Sequence, residues 1–309
     1  MDQVSASEQI DEQPVQHLTC GDGARQIAYR MQGDFDDPQK LPIICLAGYQ
    51  RNMEDFAAFA EKFSSYAKRD WPIIRIDLIG RGSARKERND RAYSTLHDAA
   101  DMAEFCRAKG IEDAIWFGQG HGGQVIMALA AQHPTIISGA ILCDSGPIIN
   151  ARGLVRLRNN LDYLSKIRGK NAVRDSLRRI LRVDYPNLGD GLLDQIAART
   201  HTTNAKARLE PQFDMRLNEQ LNAFDNDDVL QANWNLFDSL RNIPLLLLRT
   251  QHTDLLRTEV FQLMCKKRPD ALNYEIMGEG FPALLEGADE LGVIADFALH
   301  TCKWHKKRG

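Results

Sequence analysis

The sequence predicts an α/β fold in which a mostly parallel, doubly wound sheet carries an inserted helical segment. Three observations support this prediction. Short apolar segments alternate with helix-like segments along most of the chain, the apolar segments lack the polar alternation of half-exposed strands, and one long stretch contains helical patterns only. Near-continuous apolar strands are typical of parallel sheets whose two faces are both covered by helices.

Two kinds of segment are predicted as strands. His17–Cys20 and Gln26–Met31 are joined by a glycine-containing turn, which predicts a hairpin at the sheet edge. The others are apolar runs bounded by turn residues, which predict strands buried on both faces. These runs are Leu41–Ala47, Pro72–Leu78, Ala114–Gly118, Gly139–Asp144, Pro244–Arg249 and Leu272–Met277.

Helical patterns fall into two groups. The first group separates the predicted strands and consists of Asn52–Tyr66, Leu96–Ala108, Gly123–His133 and Thr258–Lys267. The second group follows without any convincing strand between residues 148 and 240, and it predicts a helical lid over the strand ends. Its members are Arg152–Ile167, Ala172–Arg182 and Gly191–Arg199.

The predicted chain therefore has three parts. Residues 1–13 carry four acidic residues, no lysine or arginine and no apolar periodicity, which predicts a disordered tail. An α/β core is expected at 14–147 and 241–302, with the lid insertion at 148–240.

Composition excludes several classes of function. A formal net charge of −3 provides no field for nucleic acid or an anionic membrane. With neither a basic leader nor the roughly 18–20 apolar residues that cross a bilayer, a cytoplasmic protein is expected. The six cysteines are dispersed, no complete nucleotide-binding motif occurs, and His97, Asp98 and Asp101 are interpreted as a surface cluster, so no metal or cofactor is expected. The sequence leaves the oligomeric state open.

A glycine-rich turn stands near the middle of the chain. Gly118–Gly123 (GQGHGG) follows the predicted strand Ala114–Gly118 and precedes a helical pattern. This is the strand–turn–helix context of the G-x-S-x-G nucleophile elbow, in which glycines permit close backbone approach. The nucleophile position is occupied by Gly120, which has no side chain to attack a carbonyl carbon.

With this turn the chain resembles the α/β-hydrolase superfamily, in particular a bacterial branch of small-substrate hydrolases. The resemblance runs from about residue 25 to residue 298. Leu46–Asn52 is similar to the loop that helps to form the oxyanion hole, and Leu248–Leu256 to the loop that carries the catalytic acid. Asp77–Ser83 and Cys143–Pro147 are similar to two further loops, and all these segments occur in the family's order. The resemblance implies an α/β-hydrolase fold.

The resemblance also implies where a catalytic triad would lie. Asp254 falls at the acid position, Gly120 at the nucleophile position and Phe281 at the histidine position. No histidine occurs between His252 and His300, so a shift of a few residues does not supply one. Because the histidine carries the proton and the acid only orients it, such a chain lacks the proton relay.

A ligand pocket is still implied at this place. Its residues would be Gly48, Tyr49, Gly120, His121 and Phe281, with the N–H groups of Tyr49 and His121 as oxyanion donors. Such donors bind or polarise a carbonyl group even without a nucleophile. The hydroxyl of Tyr49 could bind a ligand or pack at the pocket mouth, and both interpretations remain open.

Other side chains are weighed as replacements for the missing groups. His121 is a candidate displaced base, although bulky or polar residues are common at that position. His252 is more readily explained as a loop residue, Ser145 as part of a turn, and Cys45 as a buried, protonated thiol. For Asp254 the favoured interpretation is structural, through a loop cap or a pair with an arginine.

Basic residues are concentrated at two places. At the C-terminus, Lys303, Lys306, Lys307 and Arg308 predict a solvated tail. In the predicted lid a solvated face is favoured, and the alternative is a positive surface over an anionic ligand or for an acidic partner. The lid residues are Arg152, Arg156, Arg158, Lys166, Arg168, Lys170, Arg174, Arg178, Arg179 and Arg182.

Three functions follow as hypotheses. The leading one is a catalytically silent hydrolase relative that binds a small molecule, with an anionic ligand as one option, or a protein partner. The second is a hydrolase of esters, lactones or carbon–carbon bonds in which Asp254 or His121 activates water. The third is a protein with a filled pocket whose basic lid is a contact surface, and pocket volume separates it from the first.

Overall fold

The structure is a computed structural model that describes residues 14–21, 23, 25–86 and 93–307, so the predicted tail at 1–13 lies outside it. The strands are β1 (Gln16–Cys20), β2 (Arg25–Gln32), β3 (Ile43–Leu46), β4 (Ile73–Asp77), β5 (Ala114–Gln119), β6 (Ile137–Cys143), β7 (His201–Thr203), β8 (Leu209–Pro211), β9 (Leu245–Thr250) and β10 (Leu272–Ile276). The helices are α1 (Ala57–Ala67), α2 (Thr95–Lys109), α3 (His121–Gln132), α4 (Ala151–Lys166), α5 (Lys170–Asp184), α6 (Asp190–Ala198), α7 (Arg216–Gln220), α8 (Trp234–Asp238), α9 (Thr258–Lys267) and α10 (Ala288–Lys306). Of these described helices, none is long and apolar enough to cross a membrane.

Eight strands form one sheet in the order β1-β2-β4-β3-β5-β6-β9-β10. Strand β2 pairs antiparallel with β1 and β4, and the remaining neighbours are parallel. Every residue of β3, β4, β5, β6 and β9 is buried, as expected for strands covered on both faces. The predicted α/β fold class and the edge hairpin are confirmed.

Alternate residues of each central strand belong to two apolar layers. In β3, Ile44 and Leu46 pack in the layer that contains Val125 of α3. Ile43 and Cys45 point to the opposite face. This alternation is the two-residue period of a strand, and it supplies apolar side chains to both faces of the sheet.

The last predicted buried strand is different. Strand β10 lies at the sheet edge with β9 as its neighbour. Its first residue, Leu272, is 48% exposed, and Met277, which follows it, is 63% exposed. Asn273 and Glu275 alternate with less polar residues, which is typical of a half-exposed strand. The prediction that this strand is buried on both faces was therefore wrong.

The segment between β6 and β9 contains five helices, α4 to α8. The prediction that it holds no strand was wrong, because β7 and β8 pair antiparallel across residues 201–211. Each of these strands has three residues, which is too short for a sequence period to be visible. That this segment forms a lid over the strand ends stays a prediction.

The lysines of the basic C-terminus lie in a helix and its cap, and they are exposed, as the sequence predicts for a solvated terminus. Helix α10 continues through Lys303 and Lys306, whereas Arg308 lies outside the described residues. Buried Phe297 and Cys302 extend the apolar face of the helix against the sheet. Cations in its last turn interact favourably with the negative end of the helix dipole.

Candidate functional site

The candidate site is built around the turn that joins β5 to α3. Gly120 has φ +51° and ψ −112°, a backbone conformation that residues with side chains rarely adopt. The residues two positions away on either side, Gly118 and Gly122, are glycines because other backbone atoms lie very close to them. A Cβ on Gly118 would lie 2.3 Å from the backbone nitrogen of Gly123, and one on Gly122 would lie 2.1 Å from the carbonyl oxygen of Leu46. Residue 120 is thus held at the carboxyl end of the sheet.

The ring of Phe281 occupies the space beside this turn. Its Cζ atom lies 2.9 Å from the place that a Cβ on Gly120 would take, and 2.4 Å from the place of a Cβ on Gly48. Phe281 is only 7% exposed. The aromatic ring therefore fills the gap between the glycine turn and the loop after β3.

Polar contacts hold the loop that carries Phe281. The buried amide of Gln119 accepts a hydrogen bond from the N–H group of Ala283 (2.9 Å) and donates to its carbonyl oxygen (3.4 Å). The hydroxyl of Tyr185, at the end of α5, donates to the carbonyl oxygen of Pro282. The ring is thus fixed from the sheet side and from the inserted segment.

The carboxylate of Asp254 is held by an arginine of the inserted segment. Arg156 in α4 donates to it from Nε and from Nη2 (3.0 Å), and donates to Asp184 from Nη1 (2.9 Å) and Nη2 (3.1 Å). Asn150 donates to the carbonyl oxygen of Asp254 (2.8 Å). This is an arginine pair of the kind favoured from the sequence, and it leaves the carboxylate occupied.

His121, the first residue of α3, takes part in a buried network. Its Nε2 lies 2.8 Å from Oδ2 of Asp98 in α2, and the same oxygen lies 3.4 Å from Nη1 of Arg81. Asp98 is 2% exposed and Arg81 is 1% exposed. Arg81 also donates to the carbonyl oxygens of Tyr49 and Ile79, both at 2.9 Å. The network therefore links α2, α3 and the loop after β3.

Burial and neighbouring charges set the protonation of this network. Burial lowers the pKa of His121. The hydrogen bond and the charge of Asp98 act to raise this pKa, and the charge of Arg81 acts with burial to lower it. Burial alone would raise the pKa of Asp98, but Arg81 and His121 together hold that pKa below its ordinary value. At pH 7 an ionised Asp98 therefore faces a neutral His121.

Sequence reasoning missed this network. Of the predicted surface cluster, only His97 is exposed, whereas Asp98 and Asp101 are buried, so that interpretation was wrong for both aspartates. A signal was present in the helical spacing. Asp98 stands four residues before Met102 and seven before Phe105, which places it on the apolar face of the helix.

A cavity of about 280 Å³ lies beside Gly120, and Tyr49, His121 and Phe281 also line it. Gly48 lies against the Phe281 ring instead. The same ring lines a second cavity of about 90 Å³, so it stands between the two spaces. The inserted segment contributes an apolar wall to the larger cavity, made of Ile148, Ile149, Leu154, Leu157, Leu221 and Phe224.

The hydroxyl of Tyr49 has a partner within the protein. It donates to Oε1 of Gln220 at 3.2 Å, and Gln220 belongs to α7 of the inserted segment. Burial raises the pKa of Tyr49 to about 12, so this hydroxyl stays protonated at neutral pH. Its ring also meets the imidazole of His121 edge to face at 5.4 Å.

The other candidate side chains have local roles. The hydroxyl of Ser145 accepts a hydrogen bond from the amide of Gln124 (3.4 Å), which is not a base. Cys45 is fully buried, and burial raises the pKa of its thiol well above the ordinary value. His252 is exposed, and its backbone N–H group donates to the carbonyl oxygen of Glu279 (2.8 Å).

One group of potential metal ligands occurs among the described residues. Atoms of Cys20, Asp101 and Glu104 lie within 4.8 Å of one another. Arg25 reaches Asp101 at 2.7 Å, and burial raises the pKa of Cys20 to about 12. A protonated thiol and an arginine-paired carboxylate are poor metal ligands, so this group carries no metal proposal.

Asp144, in the cavity wall, predicts a dependence of stability on pH. Burial raises its pKa to about 7, although its oxygens accept hydrogen bonds from the N–H group (2.8 Å) and the hydroxyl (2.7 Å) of Thr250. Unfolded aspartate titrates near pH ~4, so the stabilisation from this group is complete below that pH and is lost as pH rises through about 7.

We therefore expect Asp144→Asn to be more stable than the wild type at pH 8, by on the order of 4 kcal/mol, and by less than half of that at pH 5. Asparagine retains both contacts, because its oxygen accepts the N–H group of Thr250 and its amide donates to the hydroxyl. Thermal unfolding at the two pH values measures the difference, with exposed Asp227→Asn as control. Parallel pH profiles for the Asp144 variant and the wild type would contradict the expectation.

Comparison with known proteins gives a consistent result. The model of a family described as alpha/beta hydrolase fold matches residues 42–288. A solved α/β hydrolase from Novosphingobium aromaticivorans is similar, with 25% identity, a TM-score of 0.78 and coverage of 94% of this chain and 99% of that one. The E-2-(acetamidomethylene)succinate hydrolase has a TM-score of 0.71 at 17% identity, with coverage of 92% and 98%, which is a likeness of fold alone.

A curated relative is similar over a shorter region. The 3-hydroxybutyrate-oligomer hydrolase of Cupriavidus necator is 26% identical over 135 residues, which are 44% of this chain and 44% of that protein. The chain thus matches less than half the length of its curated relatives. The activity of the whole relative is therefore a matter for proposal and test.

Proposed function

The chain belongs to the α/β-hydrolase-fold family, and on this premise we propose that it binds a neutral, largely apolar small molecule and is not a serine hydrolase. The observation that carries the proposal is the ring of Phe281 between Gly48 and Gly120. In a working hydrolase a nucleophile and the carbonyl carbon under attack would occupy this space. Neither glycine nor phenylalanine attacks a carbon or carries a proton.

The wall of the larger cavity supports a neutral, apolar ligand. Its described lining contains no lysine or arginine, and most of the lining from the inserted segment is aliphatic. Two of the basic residues of that segment are engaged in ion pairs elsewhere. Arg156 binds two aspartates, and Arg178 pairs with Asp190 (3.1 Å) and with Asp194. The anionic ligand considered from the sequence therefore has no cation in this wall.

The proposal is tested by binding and turnover together. We expect 2-methoxynaphthalene to bind the full chain in a fluorescence titration, and 4-nitrophenyl esters to be hydrolysed no faster than in buffer. Leu154→Trp fills the cavity and should abolish binding, whereas Leu263→Trp, at a 42% exposed position in α9, should not. Ester turnover by the wild type, or binding that survives Leu154→Trp, would overturn the proposal.

Phe281→Ala is expected to join the two cavities at a cost in stability. Removal of a buried phenylalanine side chain typically lowers the free energy of unfolding by about 3 kcal/mol. Because the ring separates the two spaces, the variant should bind the longer 2-butoxynaphthalene more tightly than the wild type does. Urea denaturation and titration measure the two effects. Phe281→Leu, which keeps most of the volume, should show little of either.

A second candidate function is a hydrolase with relocated groups, and the His121–Asp98 pair is the observation that favours it. A neutral imidazole beside an ionised carboxylate is the arrangement that activates water. The ring of Phe281 opposes this candidate, because it fills the space where a carbonyl group would face the oxyanion donors. Ester turnover in the wild type that disappears in His121→Phe would support this candidate over the first.

A further inference from the structure

Only one of the two ring nitrogens of His121 has a hydrogen-bond partner among the described residues. Nε2 is bonded to Asp98 at 2.8 Å, behind the cavity wall. The side chain is 10% exposed and lines the larger cavity. Among the described residues, Nδ1 has no hydrogen-bond partner, and it is not one of the atoms sealed from open space. Nδ1 is therefore open to the cavity.

The partner of Nε2 decides which nitrogen carries the proton. An ionised carboxylate only accepts hydrogen bonds, and the charge of Arg81 keeps Asp98 ionised. The N–H group of the neutral imidazole must therefore be at Nε2, directed at Asp98. Nδ1 is left with a lone pair and no hydrogen, which makes it a hydrogen-bond acceptor.

Three neighbouring polar side chains of the wall form hydrogen bonds within the protein itself. Tyr49 donates to Gln220, and the amide of Gln124 donates to the carbonyl oxygen of Gly146 at 2.6 Å. Both oxygens of Asp144 accept from Thr250. The acceptor at Nδ1 of His121 is thus an open polar point in a largely apolar wall.

We infer that the cavity selects a neutral ligand with a hydroxyl group, an apolar alcohol or phenol, whose O–H donates to Nδ1 of His121, while Asp98 positions the imidazole. This inference rests on the proposed function and names the ligand class for the same cavity. An apolar ligand without a donor would desolvate Nδ1 and leave it unpaired. An unpaired buried acceptor costs about 1–3 kcal/mol, which is roughly a fivefold to 150-fold loss of affinity.

The test compares two ligands that share one ring system and differ in their oxygen substituent. 2-Naphthol carries the hydroxyl, and 2-methoxynaphthalene has the same rings with a methyl ether in its place. We expect the wild type to bind 2-naphthol about tenfold more tightly in calorimetric titrations of the full chain. Equal affinities would overturn the inference and leave the proposed function standing. Failure of both compounds to bind would overturn the proposed function and the inference with it.

Variants assign the preference to one atom. His121→Phe should remove the preference for 2-naphthol while the methyl ether still binds, and His121→Asn, whose side-chain oxygen accepts hydrogen bonds, should restore part of it. A preference that persists in His121→Phe would overturn the assignment. If His121→Phe does not fold, Leu157→Phe narrows the same cavity without touching the acceptor, and it should weaken both ligands equally. A selective loss of 2-naphthol in Leu157→Phe would count against His121 as the selecting group.

Discussion

The Gly120→Ser/Phe281→His variant is expected to hydrolyse 4-nitrophenyl acetate about ten times faster than the wild type, or more. The Phe281 ring comes within 2.9 Å of the Cβ position of residue 120. A histidine at position 281 would therefore lie beside the new hydroxyl. Its imidazole is shorter than a phenyl ring and leaves room for that hydroxyl. The two changes belong together, since a serine alone would overlap with the phenylalanine ring. Release of 4-nitrophenolate measures the rate.

The gain is limited by Arg156, whose hydrogen bonds occupy both oxygens of the Asp254 carboxylate. In a serine protease, loss of the orienting acid costs about 10⁴-fold in kcat. Adding Arg156→Met to the double variant is therefore expected to raise turnover further. Asp254→Asn in the triple variant should remove that further gain.

Matched variants separate repair of the relay from nonspecific changes. Gly120→Ala/Phe281→His has the imidazole without a nucleophile, and it should remain at the wild-type rate. Activity equal to that of the serine variant would mean that residue 120 is not the nucleophile. A folded but inert serine variant would show that residues 120 and 281 do not stand at the family's nucleophile and histidine positions.

Asp98→Asn is expected to lower the free energy of unfolding by about 3 kcal/mol or more at pH 7. Arg81 is 1% exposed, and Asp98 is the carboxylate that lies against it. Without that carboxylate the guanidinium charge is buried and uncompensated, which is much more costly than the loss of a surface ion pair. Urea denaturation measures the change. Asp175→Asn, at an exposed position in α5, should change stability by less than about 0.5 kcal/mol.

A double-mutant cycle identifies the cause. Arg81→Met removes the buried cation, so Asp98→Asn should cost much less in that background than in the wild type. Additive losses would mean that Asp98 stabilises the fold through other contacts. A loss below about 0.5 kcal/mol in the wild-type background would contradict the charge argument altogether.

The parts of the fold that could be predicted are those with a clear local period. Ile43–Leu46 is apolar at every position, which predicts a strand buried on both faces, and the structure confirms this prediction. The strands of the 201–211 hairpin have three residues each, which is too few to show an alternation of polar and apolar residues, so the sequence does not predict them. Helix α10 is not predicted, because its basic C-terminal residues indicate a tail, although Phe297 and Cys302 continue its apolar face.

The sequence by itself determined the glycine turn, its place between a strand and a helix, and the presence of glycine and phenylalanine at residues 120 and 281. Only the tertiary structure decided three contacts: the Phe281 ring against Gly120, Arg156 on Asp254, and Asp98 behind His121. The physical reason is distance along the chain. Strand order and helix packing bring these partners together, and no local pattern of residues records that arrangement.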